Sequence, residues 1–413
     1  GSAGLVASLI AATVRAKVTL VERDRMGGDC LNTGCVPSKA LIRSARIAHY
    51  ARRAEEFGLA PLEVKVRFPE VMARVHSVIK AIEPHDSVER FTSLGVDCVQ
   101  GEAKLISPWQ VKVGERVICA RNIVIASGGR PRIPDIPGLD SVPFLTSDTV
   151  WELDELPPRL LVLGAGPIGC ELAQAFARLG SEVILLTHAP RLLPREDEDV
   201  SQLVAAGLAE AGIRVITGVD PESFEAGPVS SLCHRSSGED PIEFDQLLLA
   251  VGRTANTGGM GLEQLGIRTN RAGHLEVDDH LRTVVPTIYA AGDVAGPYLF
   301  THRASHQAWY AAVNALFGRF RKFRVDYSVV PWATFTDPEV ARVGLNEREA
   351  VAQGLAHEVT RYDISDLDRA IADGEARGFV KVLTRKGSDR ILGATIVGYH
   401  SAELINEFVL AMK

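Results

Sequence analysis

The stretch from residue 27 to residue 42, GGDCLNTGCVPSKALI, places Cys30 and Cys35 five positions apart. On a regular helix, Cα atoms at that spacing would lie roughly 8–9 Å apart, whereas a disulfide needs roughly 4.4–6.8 Å. We therefore expect a distorted helix entrance, in which Gly34 supplies backbone freedom and Pro37 fits the first turn of the following helix. Thiols at a helix N-terminus have a lowered pKa, and a strained, accessible disulfide is a labile one. Spacing and location together predict a redox-active pair.

Three other interpretations of the pair stay open. In the first, the cysteines are half of a zinc site. The sequence has no second cysteine pair and no matching histidine pair to complete it, so we predict no metal site. In the second, the two cysteines form a purely structural disulfide, and in the third they are two unrelated buried thiols. The other cysteines stand singly in apolar contexts, which predicts buried thiols at Cys98, Cys119, Cys170 and Cys233. This usage is typical of a reducing, cytoplasmic compartment.

Composition narrows the class of protein. The 413 residues are 46% apolar and 23% charged, with a net charge of −7, as expected for a globular chain of several domains. The sequence has no basic run suited to a phosphate backbone, so we expect no nucleic-acid partner. It has neither an apolar stretch of about 18 residues nor a signal-peptide pattern, so we expect no membrane partner.

An internal repeat organises the chain. Residues 160–187 read as a strand at 160–163, the turn Gly164-Ala-Gly166-Pro-Ile-Gly169, a helix, and a strand at 182–186. This context makes a G-x-G-x-x-G turn a dinucleotide site, because its glycines let a pyrophosphate approach the helix N-terminus.

The opening of the chain repeats this pattern without its first strand, which we expect to be missing from this numbering. Gly1 and Gly4 would be the second and third glycines, followed by a strand at 17–21. From the third glycine, 18 residues lead to Glu22 in one copy and to Thr187 in the other. We predict two dinucleotide sites; the alternative is two glycine-tolerant turns in an α/β protein.

The residue that ends the second strand differs between the two copies. Glu22 can accept hydrogen bonds from a ribose 2′-OH. Thr187 cannot repel a 2′-phosphate, and His188 and Arg191 follow closely, which slightly favours NADPH in the second site. Gly169, in contrast, is the choice more usual for NAD, so NADP(H) and NAD(H) both stay open.

Several motifs in order make the whole chain resemble the FAD-dependent pyridine nucleotide–disulfide oxidoreductases, which include dihydrolipoamide dehydrogenase, glutathione reductase and mercuric reductase. GSAG with Glu22 is similar to the FAD adenosine site, GGDCLNTGCVPSK to the redox-disulfide motif, and GAGPIGCE to the nicotinamide-cofactor turn. IVIASG, GEA, AVGR, TIYAAGD and residues 331–344 also match family segments. The resemblance implies this set of cofactor-binding residues: Gly1, Gly4, Glu22, Gly28, Lys39, Ala103, Ser127, Gly128, Asp293, Thr301 and His302 for FAD, and Gly164, Gly166, Gly169, Thr187, His188 and Gly252 for NAD(P).

The resemblance also implies catalytic roles for Cys30, Cys35, Lys39 and Glu171. Electrons would pass from NAD(P)H to the flavin and then to the disulfide, with Cys35 as the charge-transfer thiolate and Cys30 as the interchange thiol. Lys39 would reach the flavin's reactive nitrogen and pair with Glu171. Thr301 and His302 would precede a helix at 304–316 whose N-terminus faces the flavin's pyrimidine oxygen.

The segments GGDCLNTGCVPSKALIRSA and FTHRASHQAWYAAVNALFG most resemble the mercuric-reductase-like branch of the family. The vicinal cysteine pair of that branch and the family's C-terminal His-Glu pair would both fall after Lys413, so we expect a C-terminal domain that is cut short. His400 lies in another segment, and we interpret it as structural.

The expected fold is α/β, with two Rossmann-like domains and an α+β interface domain that predicts a homodimer. We expect an FAD domain at 1–147 and 256–324, an NAD(P) domain at 148–255, and the interface domain at 325–413. The predicted function is transfer of electrons from NAD(P)H through the flavin and the Cys30–Cys35 pair to a disulfide or metal-thiolate substrate. The small-molecule partner would be a disulfide, a dithiol or a metal-thiolate. Two alternatives stay open: a dihydrolipoamide dehydrogenase that reduces NAD, and a flavin-binding carrier or complex subunit without disulfide turnover.

Overall fold

The computed structural model describes residues 1–297 and 299–413. Its helices are α1 Ser2–Thr13, α2 Gly28–Asn32, α3 Cys35–Arg52, α4 Phe68–Ile82, α5 Val88–Ser93, α6 Pro167–Leu179, α7 Glu198–Glu210, α8 Thr301–Phe317, α9 Glu347–Ala352, α10 Asp368–Ala372 and α11 Ser401–Met412. Its strands are β1 Val18–Glu22, β2 Val96–Gln100, β3 Ala103–Ser107, β4 Gln110–Val113, β5 Arg116–Cys119, β6 Ile123–Ile125, β7 Gly129–Pro131, β8 Phe144–Thr146, β9 Arg159–Leu163, β10 Glu182–Thr187, β11 Arg214–Thr217, β12 Pro221–Ala226, β13 Ser231–Arg235, β14 Ile242–Phe244, β15 Gln246–Leu249, β16 Arg253–Ala255, β17 Ile288–Ala290, β18 Trp332–Thr334, β19 Glu339–Gly344, β20 His357–Asp363, β21 Phe379–Arg385 and β22 Ile391–Gly398.

The chain forms two compact units. The first comprises Gly1–Pro37, Val75–Pro131 and Arg253–Asp326, and the second comprises Ser38–Arg74, Arg132–Gly252 and Tyr327–Lys413.

Short parallel pairings and a pair of packed helices build the first unit. Strand β1 runs parallel to β2, and β17 runs parallel to β6. Helices α1 and α8 share a core of small side chains that includes Ala3, Ala7, Ala308 and Ala311. Because alanine methyl groups allow close backbone approach, the N-terminal turn of α1 is held firmly against the rest of the unit.

A five-stranded parallel sheet, in the order β11-β10-β9-β15-β8, is the centre of the second unit. Strands β9 and β15 are buried, and Leu161, Leu163, Leu247 and Leu249 enter its core. A continuous run of buried leucines is expected for strands that are covered on both faces. Strand β9 leads through a glycine-rich turn into α6, which Pro167 opens at a position where a missing N–H costs nothing.

An antiparallel sheet, β18-β19-β22-β21-β20, and α11 complete the second unit. One buried ion pair here joins Lys381 Nζ to Asp197 at 2.9 Å, with side chains only 4% and 8% exposed. Burial alone would lower the pKa of Lys381, but its hydrogen bonds to Asp197 and Asp199 outweigh that effect and raise it.

The α/β fold class is confirmed, whereas some local predictions are wrong. Helix α8 begins at Thr301, with Phe300 as its N-cap, so Thr301 and His302 lie inside the helix and not before it. Cys170 and Cys233 are buried as expected, but Cys98 is half-buried and Cys119 is exposed. Cys119 ends β5, an edge strand of a three-stranded sheet, where alternate side chains face solvent.

Candidate active site

The redox turn is a break between two helices. Cys30 lies in the five-residue helix α2, and Cys35 is the first residue of α3. The bend expected between the cysteines is present, but the reason given for Gly34 is wrong, because its φ is not in the left-handed region. A side chain is excluded there since a Cβ on Gly34 would lie 2.8 Å from the carbonyl oxygen of Asp29. Crowding of the backbone therefore requires this glycine.

Thr301 contacts the pair of cysteines. Cys35 is exposed, and its Sγ atom lies 3.2 Å from Thr301 Oγ1. The hydrogen bond to Cys35, together with burial, raises the pKa of the Cys30 thiol. The expectation of a lowered pKa is therefore wrong for Cys30, because it lies within α2 beside a second sulfur.

Two glycine backbones meet where α1 begins. A Cβ on Gly28, whose φ is +59°, would lie 2.5 Å from the Cα of Gly1. A Cβ on Gly4 would lie 3.2 Å from Leu20 of β1, so the third glycine lets α1 pack closely on the strand. Among the described residues, no side chain caps the N-terminus of α1, which leaves its first N–H groups available to a pyrophosphate.

Other residues predicted for FAD lie at strand ends in the first unit. Glu22 is the last residue of β1, and its carboxylate accepts a hydrogen bond from the Asp24 N–H at 3.1 Å. Ala103 begins β3. Ser127 donates a hydrogen bond to the Asn256 carbonyl at 2.7 Å, and Gly128, at φ +69°, has open space where a Cβ would point.

Asp293 is held by Arg253, which ends the AVGR segment and was given no role from the sequence. Its carboxylate accepts a hydrogen bond from Arg253 Nε at 3.2 Å, and the same guanidinium also pairs with Asp29, next to Cys30. Burial raises the pKa of Asp293, and the charge of Arg253 counteracts that effect. Arg253 thus joins the predicted flavin aspartate to the redox helix α2.

The first turn of α8 carries both predicted residues. Thr301 is the N-terminal residue of this helix and makes the contact with Cys35. His302 follows it, is exposed, and stacks on Phe300 with ring centroids 5.6 Å apart.

The second glycine-rich turn has the geometry of a nucleotide-binding turn. A Cβ on Gly169 would lie 2.0 Å from the Gly164 carbonyl oxygen, and Gly164 itself has a φ of +108°. Gly166 is the N-cap of α6, no side chain of the described residues caps that helix, and open space surrounds the position of a Cβ. The first and third glycines thus make the tight turn, and the second leaves room for a ligand.

Thr187 ends β10, the position equivalent to Glu22 in β1. It is buried, and its hydroxyl accepts a hydrogen bond from the Ala189 N–H at 3.2 Å. His188 is exposed, and Gly252, at φ +107°, is also exposed. Only uncharged or weakly basic groups therefore end this strand.

Lys39 and Glu171, which lie 132 positions apart in the sequence, form the predicted ion pair in the second unit. The Lys39 ammonium donates a hydrogen bond to Glu171 Oε2 at 2.8 Å, with side chains 36% and 6% exposed. The other carboxylate oxygen accepts the peptide N–H of Phe335 at 2.9 Å, and the Phe335 ring lies 4.5 Å from Lys39 Nζ. Sequence reasoning missed Phe335, although it stands in the segment 331–344 that resembled a family motif.

Among residues 1–297 and 299–413, no group of three or more His, Cys, Asp or Glu side chains could hold a metal ion. In the same residues, no helix combines the length and the apolar character needed to cross a membrane.

Residues 1–315 match the model of the pyridine nucleotide-disulphide oxidoreductases, and residues 330–413 match the dimerisation domain of the same proteins. The chain belongs to the pyridine nucleotide–disulfide oxidoreductase family.

Relatives of two different names are similar to this chain. A dihydrolipoyl dehydrogenase of Chlamydia pneumoniae is 35% identical over 100% of this chain and 89% of the relative. A mercuric reductase of Streptomyces lividans is 34% identical over 99% of this chain and 88% of the relative. Identity is nearly equal, so the predicted likeness to the mercuric-reductase branch stays a prediction.

Solved structures agree with the fold. LpdA from Mycobacterium tuberculosis superposes with a TM-score of 0.92 at 29% identity, covering 100% of this chain and 91% of that one. The HOCl-induced flavoprotein disulfide reductase RclA from Escherichia coli gives a TM-score of 0.88 at 29% identity, with the same coverage. FAD and NAD(P) are the cofactors of this family, and the uncapped N-termini of α1 and α6 fit the pyrophosphate of each.

Proposed function

We propose that this chain is an FAD-dependent NAD(P)H:disulfide oxidoreductase in which Cys30 and Cys35 exchange electrons with a small-molecule disulfide, dithiol or metal-thiolate substrate. The observation that carries the proposal is the thiol pair at the α2–α3 break, where Cys35 is exposed and Thr301 contacts it. A purely structural pair of buried cysteines would not need an exposed cysteine at the start of a helix.

Each thiol has its own role in this proposal. Cys35, at the first position of α3, ionises more readily, because the helix N-terminus and the Thr301 hydroxyl both stabilise a thiolate. Cys30 keeps its proton to higher pH, and after deprotonation it attacks one sulfur of a disulfide substrate. A mixed disulfide forms, the S–S bond of the substrate breaks, and the other substrate sulfur leaves as a thiolate. Bound FAD and NAD(P)H supply the hydride and electron-transfer chemistry.

The Lys39–Glu171 pair supplies a fixed cation in the proposed site. Glu171 is buried, and both of its oxygens are used by Lys39 and by the Phe335 peptide, so the ammonium is held in one orientation. A fixed positive charge costs no reorganisation when negative charge develops beside it.

NADPH is the nicotinamide cofactor that we propose. Thr187 carries no negative charge that would repel a 2′-phosphate, and the exposed His188 follows it. The proposal therefore predicts a lower KM for NADPH than for NADH.

We also propose the domain division expected from the sequence, a homodimer, and a cytoplasmic location. The match of residues 330–413 to a dimerisation domain supports the homodimer. Sedimentation of the purified chain tests it, and a monomer at micromolar concentration would contradict it.

Anaerobic titration of the FAD-loaded protein with NADPH, and separately with NADH, tests the function. We expect a long-wavelength absorption band that vanishes in Cys35→Ser and persists in Cys119→Ser, which removes an exposed cysteine outside the motif. Absence of the band with both nucleotides, or its persistence in Cys35→Ser, would refute disulfide chemistry.

The relatives named dihydrolipoyl dehydrogenase favour a second candidate, oxidation of dihydrolipoamide with NAD+. Initial rates with dihydrolipoamide and NAD+ distinguish the two candidates. A rate that exceeds NADPH-dependent reduction of a disulfide or of Hg(II) supports the second candidate.

A further inference from the structure

The segment Phe335-Thr-Asp-Pro-Glu339 joins β18 to β19 and contacts the Lys39–Glu171 pair directly. The Phe335 peptide donates to Glu171, and its ring lies under the Lys39 ammonium. Since Lys39 also donates to Glu171, the three residues form a closed triangle of contacts. Removal of one member leaves the other two less constrained.

The same segment is fastened to one face of α6. Gln174 accepts the Asp337 N–H at 2.7 Å and donates to the Asp337 carbonyl at 2.9 Å. Arg178 pairs with the Asp337 carboxylate at 2.6 Å. Glu171, Gln174 and Arg178 are three and four residues apart, so they lie on one side of the helix.

A second anchor joins the segment to α3. Arg46, seven residues after Lys39 on this helix, pairs with Glu339 at 3.0 Å, and both side chains are largely buried. Burial raises the pKa of Glu339 even though the charge of Arg46 opposes that change. The segment is thus held by charged groups on both helices that carry the ion pair.

The space beside Phe335 is small. A cavity of about 10 Å³ is bordered by Phe335, Glu171, Gln174 and Arg178. That volume holds one water molecule at most. The Glu171 side chain beside it is only 6% exposed.

We propose that residues 335–339 are a positioning element for the Lys39–Glu171 pair, with Phe335 as the positioning residue and Asp337 and Glu339 as its anchors. This inference rests on the proposed function, because the pair is given a catalytic role there. The aromatic face attracts the ammonium, and the peptide N–H fixes the carboxylate that holds it. The C-terminal part of the chain thus takes part in orienting a catalytic lysine.

The test compares Phe335→Leu, which keeps the peptide and removes the ring, with Phe335→Tyr, which keeps both. Phe320→Leu, at a side chain 90% exposed in the first unit, is the matched control. Stopped-flow flavin reduction by NADPH is measured for the FAD-loaded proteins. We expect F335L to slow it about threefold to tenfold, and F335Y and F320L to stay within about twofold of the unchanged protein.

A double-mutant cycle distinguishes an effect of Phe335 through Lys39 from a general loss of stability. In the Lys39→Gln background, F335L should change flavin reduction less than about twofold, because the ring acts through the ammonium. The same cycle, followed by urea unfolding, should show a coupling of about twofold to fivefold in the unfolding equilibrium constant.

Equal slowing by F335L with and without Lys39, or loss of rate in F335Y, would overturn the proposal. If neither nicotinamide cofactor reduces the flavin of the unchanged protein, the proposed function fails. The urea-unfolding cycle then tests the positioning role by itself. Coupling between Phe335→Leu and Lys39→Gln supports that role, and additive effects of the two substitutions overturn it.

Discussion

Replacement of Glu171 by glutamine is the sharpest single perturbation of the candidate site. Glutamine keeps the side-chain volume and can still accept the Phe335 N–H, but it removes the charge that Lys39 binds at 2.8 Å. Breaking a fully buried ion pair costs about 3–5 kcal/mol. Here 36% of the Lys39 side chain is exposed, so water compensates part of that loss.

We therefore expect a loss of about 1–3 kcal/mol in the positioning of the ammonium. At about 1.36 kcal/mol per tenfold, this corresponds to about 5-fold to 150-fold slower flavin reduction. Anaerobic stopped-flow absorbance at saturating NADPH measures the rate constant, and FAD content and urea unfolding are measured on the same samples.

Asp197→Asn is the matched control, because Lys381–Asp197 is also a lysine–carboxylate pair, at 2.9 Å, in the same unit. It should lower stability while leaving flavin reduction within about twofold. The reasoning is refuted if Glu171→Gln leaves the rate constant within that margin, or slows it no more than Asp197→Asn does.

Three further outcomes follow from the thiols and the buried ion pair. Cys35→Ala should lower the pKa of Cys30, because the hydrogen bond that raises it is lost, so iodoacetamide should alkylate Cys30 with a lower pH midpoint; an unchanged midpoint would contradict the assigned cause. Thr301→Val should slow alkylation of Cys35 near pH 7 about fivefold, since a hydrogen bond from a hydroxyl group contributes about 1 kcal/mol to the stability of the thiolate. An equal rate would show that the Thr301 contact does not stabilise the thiolate. Lys381→Met should cost about 3 kcal/mol in urea unfolding at pH 7; because the Asp197 pKa is lowered in the fold, that stabilisation is present above the ordinary value of 3.8 and is lost as the pH falls below it, so a deficit that does not shrink between about pH 4 and about pH 2 would disprove the assignment.

Spacing alone predicted the nucleotide-binding turns well. Counting from the third glycine of each turn placed Glu22 and Thr187 at strand ends, and both are the last residues of their strands. This succeeds because a helix that packs on its own sheet through short connections has a nearly fixed length. The Lys39–Glu171 pair required the family resemblance, because no local pattern joins residues 132 positions apart.

The rest depended on tertiary contacts that one sequence does not reveal. Phe335 and Arg253 are an ordinary aromatic and an ordinary arginine until the fold places them beside Lys39 and Asp293. The start of α8 was misplaced by three residues, because Thr301 and His302 have only moderate helix propensity and tertiary packing overrides it. The Cys30 pKa was misjudged because a helix-terminus rule ignores a neighbouring sulfur.

The contact between Gly1 and Gly28 limits how this protein can change. A methyl group at residue 28 would lie 2.5 Å from the Cα of residue 1, whereas a methyl group at residue 1 would lie 3.6 Å from the Cα of residue 28, so the contact restricts residue 28. In a saturation library that selects for bound flavin, position 28 should be depleted of every other amino acid, whereas Gly58, which has open space, should accept asparagine. The backbone of the dinucleotide turn thus sets which residue the redox turn can carry at position 28.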